Sequence, residues 1–201
     1  MKNTDSNVEI TIDEAESIVT KTGDQGTTGT LDGERVSKGS NLIELNGTLD
    51  ELNASLGILT SLIKKAPPYD GKEDNIETLE WIQNGLYNMG TEVSSDFNII
   101  RFEEKHPNTL EEKLDAMTEK MPPQTKFILY SGTLEATQTQ MARSICRRAE
   151  RCFVRYLDEI GESQYPHSYQ FVNRMSDYLF TLARYLNQEL GGEEVVTIIW
   201  E

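Results

Sequence analysis

Leu45, Leu49, Leu52, Leu56 and Leu59 recur at steps of four and three, which places them on one stripe of a long helix. Thr48-Leu49-Asp50-Glu51 also fits a capping box, but the stripe already begins at Leu45, so the longer helix is the expectation. Leu79, Ile82, Leu86, Met89 and Val93 repeat the pattern, and Pro67-Pro68 with Asp70-Gly71 marks the break between the two helices. A shorter stretch, Leu110, Leu114 and Met117, follows Pro107-Asn108-Thr109 and stops before Pro122-Pro123. A fourth helix is predicted from Thr133 to about Glu159, with Leu134, Met141, Ile145, Ala149 and Cys152 inward and Gly161 as its end. The fifth runs from about Ser168 to Leu190, with Phe171, Met175, Leu179, Leu182 and Leu186 as its stripe and Gly191-Gly192 as its stop. Period-two alternation is confined to Val195–Trp200, a candidate tail strand. The pattern predicts an all-α, five-helix bundle over 19–201, preceded by an acidic arm over 1–18.

Composition narrows the function. The 201 residues carry 34 acids against 19 Lys and Arg, a formal charge of −15, which disfavours nucleic acid and anionic membranes as partners. No apolar run reaches the ~18 residues of a membrane span, and the acidic Met1–Ile18 stretch fits neither a secretory signal nor an organellar presequence, so the expected address is cytoplasmic. The two cysteines, Cys146 and Cys152, point to different faces of one helix and are not expected to pair. His106 and His167 stand beside prolines without ligand-spaced partners and are expected in solvated loops, which argues against a protein-bound transition metal or a His-based triad.

Two features offer chemistry. Thr20-Lys21-Thr22-Gly23-Asp24-Gln25-Gly26-Thr27-Thr28-Gly29-Thr30 is rich in glycine and hydroxyls, and such a loop can turn N–H and O–H groups onto phosphate, with Lys21 and Lys38 adding charge. It is neither a Walker A loop nor a dinucleotide fingerprint, and it reads equally as a polar loop. Between Arg143 and Arg155 stand five arginines, Arg143, Arg147, Arg148, Arg151 and Arg155, against one acid, Glu150. Arg143, Arg147 and Arg151 fall at i, i+4 and i+8 and line one helix face, where guanidinium forks suit a polyphosphate; the alternatives are carboxylates of neighbouring helices or a solvated face. Asn173 and Asp177 share a face of the fifth helix, while Met175 turns inward.

Taken in order, Thr20-Lys21-Thr22-Gly23-Asp24-x-Gly26, Gly33-Glu34-Arg35-Val36-x-Lys38, Gly47-Thr48-Leu49-Asp50-Glu51-Leu52-Asn53, Arg143-x-x-Cys146-Arg147-Arg148-Ala149-Glu150-Arg151 and Val172-Asn173-Arg174-Met175-Ser176-Asp177 resemble the PduO-type ATP:cob(I)alamin adenosyltransferases. The resemblance implies a homotrimer with sites in the grooves between subunits. It implies that reduced cobalamin attacks the 5′ carbon of ATP, giving adenosylcobalamin and triphosphate. The cobalt is then the nucleophile, so the protein need supply only positioning and cations. The implied ATP loop is Thr20, Lys21, Thr22 and Gly23, with Thr28, Gly29 and Lys38; Arg147, Arg148, Glu150 and Arg151 match the ATP-facing helix, and Asn173 a nucleotide-contacting asparagine. Magnesium is implied through phosphate and water, with Glu150 as the candidate protein group. Asp50 and Arg143 match an inter-subunit salt bridge, grouped with Arg147 as the residues on which catalysis depends. Phe127 matches a phenylalanine that presses under the corrin, excludes the lower axial ligand and favours four-coordinate Co(II); by itself, Phe127-Ile128-Leu129 reads as core.

The resemblance leaves a reductase or a cobalamin-dependent enzyme as a further partner. The chain departs from it twice: Tyr130-Ser131-Gly132 stands where Pro-Gly-Gly is usual, and Gly39 follows Lys38 in place of an acid. Those departures keep a second class of function open, a non-catalytic ATP- or cobalamin-binding trimer. A third is a plain helical interaction module.

Overall fold

The structure is a computed structural model that describes residues 19–31 and 33–200; the acidic arm expected over 1–18 lies outside the described residues. Five helices carry the fold: α1 (Asn41–Lys65), α2 (Lys72–Ser94), α3 (Lys105–Thr118), α4 (Leu134–Ile160) and α5 (His167–Leu190). Ser40 caps α1 by accepting the Ile43 N–H at 3.4 Å, and Thr133 caps α4 by accepting that of Ala136 at 3.2 Å. Thr48 lies inside α1, its hydroxyl bonded to the Glu44 carbonyl at 2.7 Å, which decides against a helix start there.

The predicted stripes of α1, α2 and α5 are buried throughout, and together with α4 they form one core. Each fully buried Leu contributes about 1.5–3 kcal/mol relative to exposure. α1 packs on α2 and on α4, α4 packs on α5, and Trp81 of α2 meets Phe171 of α5 edge to face at 5.4 Å. The four long helices therefore go round the core in the order α2, α1, α4, α5, with α3 laid on α5.

The inward face of α4 differs from the expected one. Leu134 and Met141 are 64% and 58% exposed, and Ile145 is half-buried. The buried stripe is built instead from Ala136, Ala142, Cys146, Ala149 and Cys152, followed by Phe153, Tyr156 and Leu157. Small residues let α1 and α5 approach the α4 backbone, so the large apolar side chains at its start are turned outward.

Three further expectations are corrected. The segment before α1 is not a loop alone: β1 (Thr27–Gly29) and β2 (Arg35–Ser37) form a short antiparallel hairpin. Neither histidine lies in a loop. α3 begins at Lys105, since Pro107 in a first turn forfeits no intrahelical bond, and His106 is half-buried, stacked on Trp81 at 6.3 Å with its Nδ1 against the Glu103 N–H at 2.9 Å. His167 opens α5. The tail strand shrinks to a single bridge, Val196 against Ile128, and Trp200 is 92% exposed. Both cysteines are buried and free, and no described helix is long and apolar enough to cross a membrane.

Burial pushes the Tyr69 phenol up to about 12 and raises those of Tyr156 and Tyr178, because desolvation penalises the phenolate. The Cys146 thiol rises for the same reason. Folded-state values above the unfolded ones mean stability is full below the unfolded pKa values, about 8.5 for Cys and 10 for Tyr, and is lost as pH climbs through them. The thermal midpoint is expected to hold from pH 7 to 8 and to fall steadily by pH 11; an unchanged midpoint at pH 11 would contradict this account.

Candidate active site

The hairpin carries the first set of predicted residues. Gly26 and Gly33 have φ of +75° and +81°, and Lys21 is held at +57°, so the chain reverses repeatedly before α1. Arg35, which sequence reasoning did not single out as a site residue, locks these turns. Its guanidinium donates to the carbonyls of Thr22 and Thr27 at 2.5 and 3.1 Å and to the Thr27 hydroxyl at 2.7 Å. Thr20 and Thr22 share a hydroxyl hydrogen bond at 2.9 Å. The Lys38 ammonium lies over Gly23, where a Cβ would sit 2.7 Å from Nζ. Thr20, Lys21, Thr22, Gly23 and Lys38 are thus drawn into one polar cluster, with Thr28 and Gly29 in β1 paired to Val36 and Arg35.

The second set lies on α4 and α5. Arg147 and Arg151 are exposed; Arg147 makes no side-chain hydrogen bond or ion pair among the described residues, and Arg151 donates only to the Arg147 carbonyl at 2.8 Å. Arg148 points the other way, toward α1, in an ion pair with Glu51. Glu150 accepts from Asn173 Nδ2 at 2.9 Å and from the Tyr169 hydroxyl at 3.5 Å, while Arg174 donates to Asn173 Oδ1 at 2.7 Å and pairs with Glu111. Glu150 and Asn173 are therefore brought together, and Arg148 is turned to α1, apart from Arg147 and Arg151. No group of three or more His, Cys, Asp or Glu capable of holding a metal occurs among the described residues. A magnesium ion would be held through phosphate oxygens and water, and the second Glu150 oxygen, which accepts no hydrogen bond among the described residues, would be open to that shell.

Arg143 is half-buried and pairs with no carboxylate among the described residues. Its Nη1 donates to the Tyr130 hydroxyl at 3.0 Å, and its guanidinium carbon lies 5.7 Å from the Tyr130 ring and 5.2 Å from that of Phe180. Asp50 is exposed on α1, at a cavity of about 220 Å³ shared with Leu31 of the hairpin turn and with Leu86, Tyr87 and Gly90 of α2. The hairpin turn thus abuts α1 and α2, whereas Arg143 lies against Phe180 of α5. Among the described residues no hydrogen bond or ion pair joins residues 20–38 to α4.

Phe127 is 83% exposed, so the core reading of Phe127-Ile128-Leu129 fails. The segment is held by backbone bonds from Leu129 N–H to the Val195 carbonyl at 2.8 Å and from Thr197 N–H to the Phe127 carbonyl at 2.9 Å. The buried Asn187 then latches the turn into α4: its Nδ2 donates to the Ser131 carbonyl at 3.0 Å, and its Oδ1 accepts the Thr133 N–H at 2.9 Å. Sequence reasoning missed Asn187, although the glycines that make room for it, Gly132 and Gly192, were visible.

With this geometry in view, the comparisons are specific. The profile of the cobalamin adenosyltransferase family matches residues 18–186. The chain belongs to that family. It is 37% identical over 188 residues to the corrinoid adenosyltransferase of Bos taurus, covering 89% of this chain and 75% of the relative. It is 37% identical over 182 residues to the cobalamin adenosyltransferase of Cupriavidus metallidurans, covering 89% and 92%. A variant PduO-type ATP:corrinoid adenosyltransferase from Lactobacillus reuteri, complexed with cobalamin and ATP, superposes with a TM-score of 0.80 at 32% identity, over 90% of this chain and 99% of that one. The all-α adenosyltransferase fold expected from the sequence is the one observed.

A Cβ on Gly132, which has φ +107°, would lie 2.0 Å from Asn187 Oδ1. Gly132→Ala is expected to cost about 3 kcal/mol through strain and the lost latch, measured by chemical denaturation. A loss below half that value would show the turn to be adaptable.

Proposed function

We propose that this chain is an ATP:corrinoid adenosyltransferase that moves the 5′-deoxyadenosyl group of ATP onto reduced cob(I)alamin, giving adenosylcobalamin and triphosphate. The observation that carries the reading is the exposed Arg147–Arg151 face, which has no carboxylate partner among the described residues, in a chain of formal charge −15. Abundant acids would neutralise a purely structural arginine row. These two guanidinium groups are left available to a ligand of higher negative charge density, and forked donors match phosphate oxygens.

The chemistry needs no protein nucleophile, because the reduced cobalt supplies the electron pair. The buried Cys146, its thiol pushed up by desolvation, is no thiolate and is not drawn on. The protein's work is to hold the 5′ carbon in line with the metal and to receive charge on the departing triphosphate. We assign the phosphates to Thr20, Lys21, Thr22, Gly23, Thr28, Gly29 and Lys38 on the hairpin and to Arg147 and Arg151 on α4, with Arg148 bracing α4 through Glu51. Asn173, oriented by Glu150 and Arg174, is assigned to the nucleoside, and Glu150 to the hydration shell of a magnesium ion. The exposed Phe127 ring is assigned to the lower face of the corrin, where an apolar group keeps an axial ligand away.

The hairpin turn abuts α1 and α2, and among the described residues no hydrogen bond or ion pair joins residues 20–38 to α4, which supports a site that closes between two copies. A homotrimer with three such grooves satisfies this, and Asp50 of one copy is then the partner for Arg143 of the next. Two unpaired cysteines accord with a reducing cytoplasm.

Anaerobic incubation with ATP, magnesium and chemically reduced cobalamin should yield a light-sensitive cobalt–carbon product and triphosphate. ATP binding without product would instead favour a non-catalytic binding trimer, and no nucleotide binding a plain helical module. Arg147→Ala is expected to lower kcat by about 10²–10³-fold while leaving the thermal midpoint within a degree or two, since the exposed side chain makes no hydrogen bond or ion pair among the described residues. Wild-type turnover in that variant would remove Arg147 from the mechanism. Co-refolding Lys38→Ala with Arg147→Ala subunits should restore part of the activity that each lacks alone. Failure to do so, with mixed oligomers demonstrated, would place hairpin and arginines of one chain in the same site.

A further inference from the structure

Tyr130 lies on the segment between Phe127 and α4, and its side chain has a partner on that helix. Its hydroxyl accepts from Arg143 Nη1 at 3.0 Å, and its ring lies along the same guanidinium, 5.7 Å from the carbon, with Phe180 at 5.2 Å. Arg143 Nε is buried and has no hydrogen-bond partner. Tyr130 is also fixed from below. Residues 127 and 129 are bonded to 197 and 195, residues 131 and 133 are held by the Asn187 side chain, and Gly132 admits no Cβ. A proline at 130 would present neither hydroxyl nor aromatic face to Arg143.

We propose that Tyr130 is a positioning residue for the corrinoid step: it aims the Arg143 guanidinium and braces the Phe127 segment against α4, so that the corrin-facing ring and the arginine face are set by one contact. The inference rests on the adenosyltransferase reading and names the residue that couples its two halves in this chain. By occupying Nη1, the phenol leaves Nη2, which makes no hydrogen bond among the described residues, as the donor for a carboxylate from another copy. By clamping a long side chain between two rings, it removes much of the rotamer freedom that Arg143 would otherwise lose on assembly. Because Phe127 lies three residues earlier on the same pinned segment, loosening the Tyr130–Arg143 contact should be felt by the corrin before it is felt by the nucleotide.

The test uses the full chain with Tyr130→Phe, which keeps the ring and removes the acceptor, and Tyr130→Pro, which removes both. The Tyr130 N–H makes no hydrogen bond among the described residues, so the proline breaks no backbone bond. Cob(II)alamin is titrated spectroscopically in the presence of ATP and magnesium, reading both affinity and the four-coordinate Co(II) signature; ATP affinity and the thermal midpoint are measured alongside. For Tyr130→Phe the expected result is about tenfold weaker cob(II)alamin binding, the lower end for a hydrogen bond to a charged group, with a smaller four-coordinate fraction and ATP affinity within twofold. Tyr130→Pro should lose more. In an Arg143→Met background, Tyr130→Phe should have no further effect.

Unchanged cobalamin affinity in Tyr130→Phe would overturn the proposal. So would an equal loss for ATP and cobalamin, which marks a general brace, or a full effect persisting without Arg143. If the wild-type chain binds cob(II)alamin but forms no adenosylcobalamin, the enzymatic reading fails while the positioning claim is still decided by the titration. If it binds no cobalamin, both fall.

Discussion

Close packing of α4 between α1 and α5 is the constraint on which the rest depends. Ala136, Ala142, Cys146, Ala149 and Cys152 present almost no bulk, so the neighbouring helices approach its backbone and the helix is gripped on two sides. A helix held this way has one flank left over. That flank carries Arg143, set against Phe180 of α5, the exposed Arg147 and Arg151, and, on the α1 side, Arg148, which is paired to Glu51. The stripe that buries α4 therefore also determines which guanidinium groups are spent inside the chain and which remain free.

Leaving cations unpaired in an acid-rich protein has an electrostatic consequence. Surface ion pairs are worth only about 0–1 kcal/mol each, so withholding carboxylates from Arg147 and Arg151 sacrifices little stability. It preserves a local positive field inside a molecule that otherwise repels anions. A ligand with several negative charges gains from that field, whereas an extended polyanion meets the surrounding negative surface. The same division applies to the hairpin, where Arg35 is consumed by backbone carbonyls and Lys38 stays beside Gly23.

The segment from Phe127 to Thr133 shows how an exposed apolar ring can be held without being buried. Backbone bonds to residues 195–197 hold its start, and Asn187, seated between Gly132 and Gly192, holds its end. The ordering cost falls on the scaffold at folding, so the exposed ring is already placed when a ligand arrives. Tyr130 adds a lateral tie to α4 that proline could not provide.

The helices, their stops at Gly161 and Gly191, and the identity of most candidate residues were legible in the chain itself, because 3.6-residue periodicity, glycine caps and ordered motifs are local properties. Arg148 could not be separated from Arg147 by spacing, since neighbouring residues on a helix diverge by about 100° and only the position of α1 decides which one finds a carboxylate. The outward turn of Leu134 and Met141 was hidden for the same reason: residue size marks what is apolar, not which side the neighbours occupy. Linear order fixed what each segment can form and which groups it carries. The packing of α4 against two partners decided which of those groups meet and which stay exposed, because side-chain direction in space is set by contacts far apart along the chain.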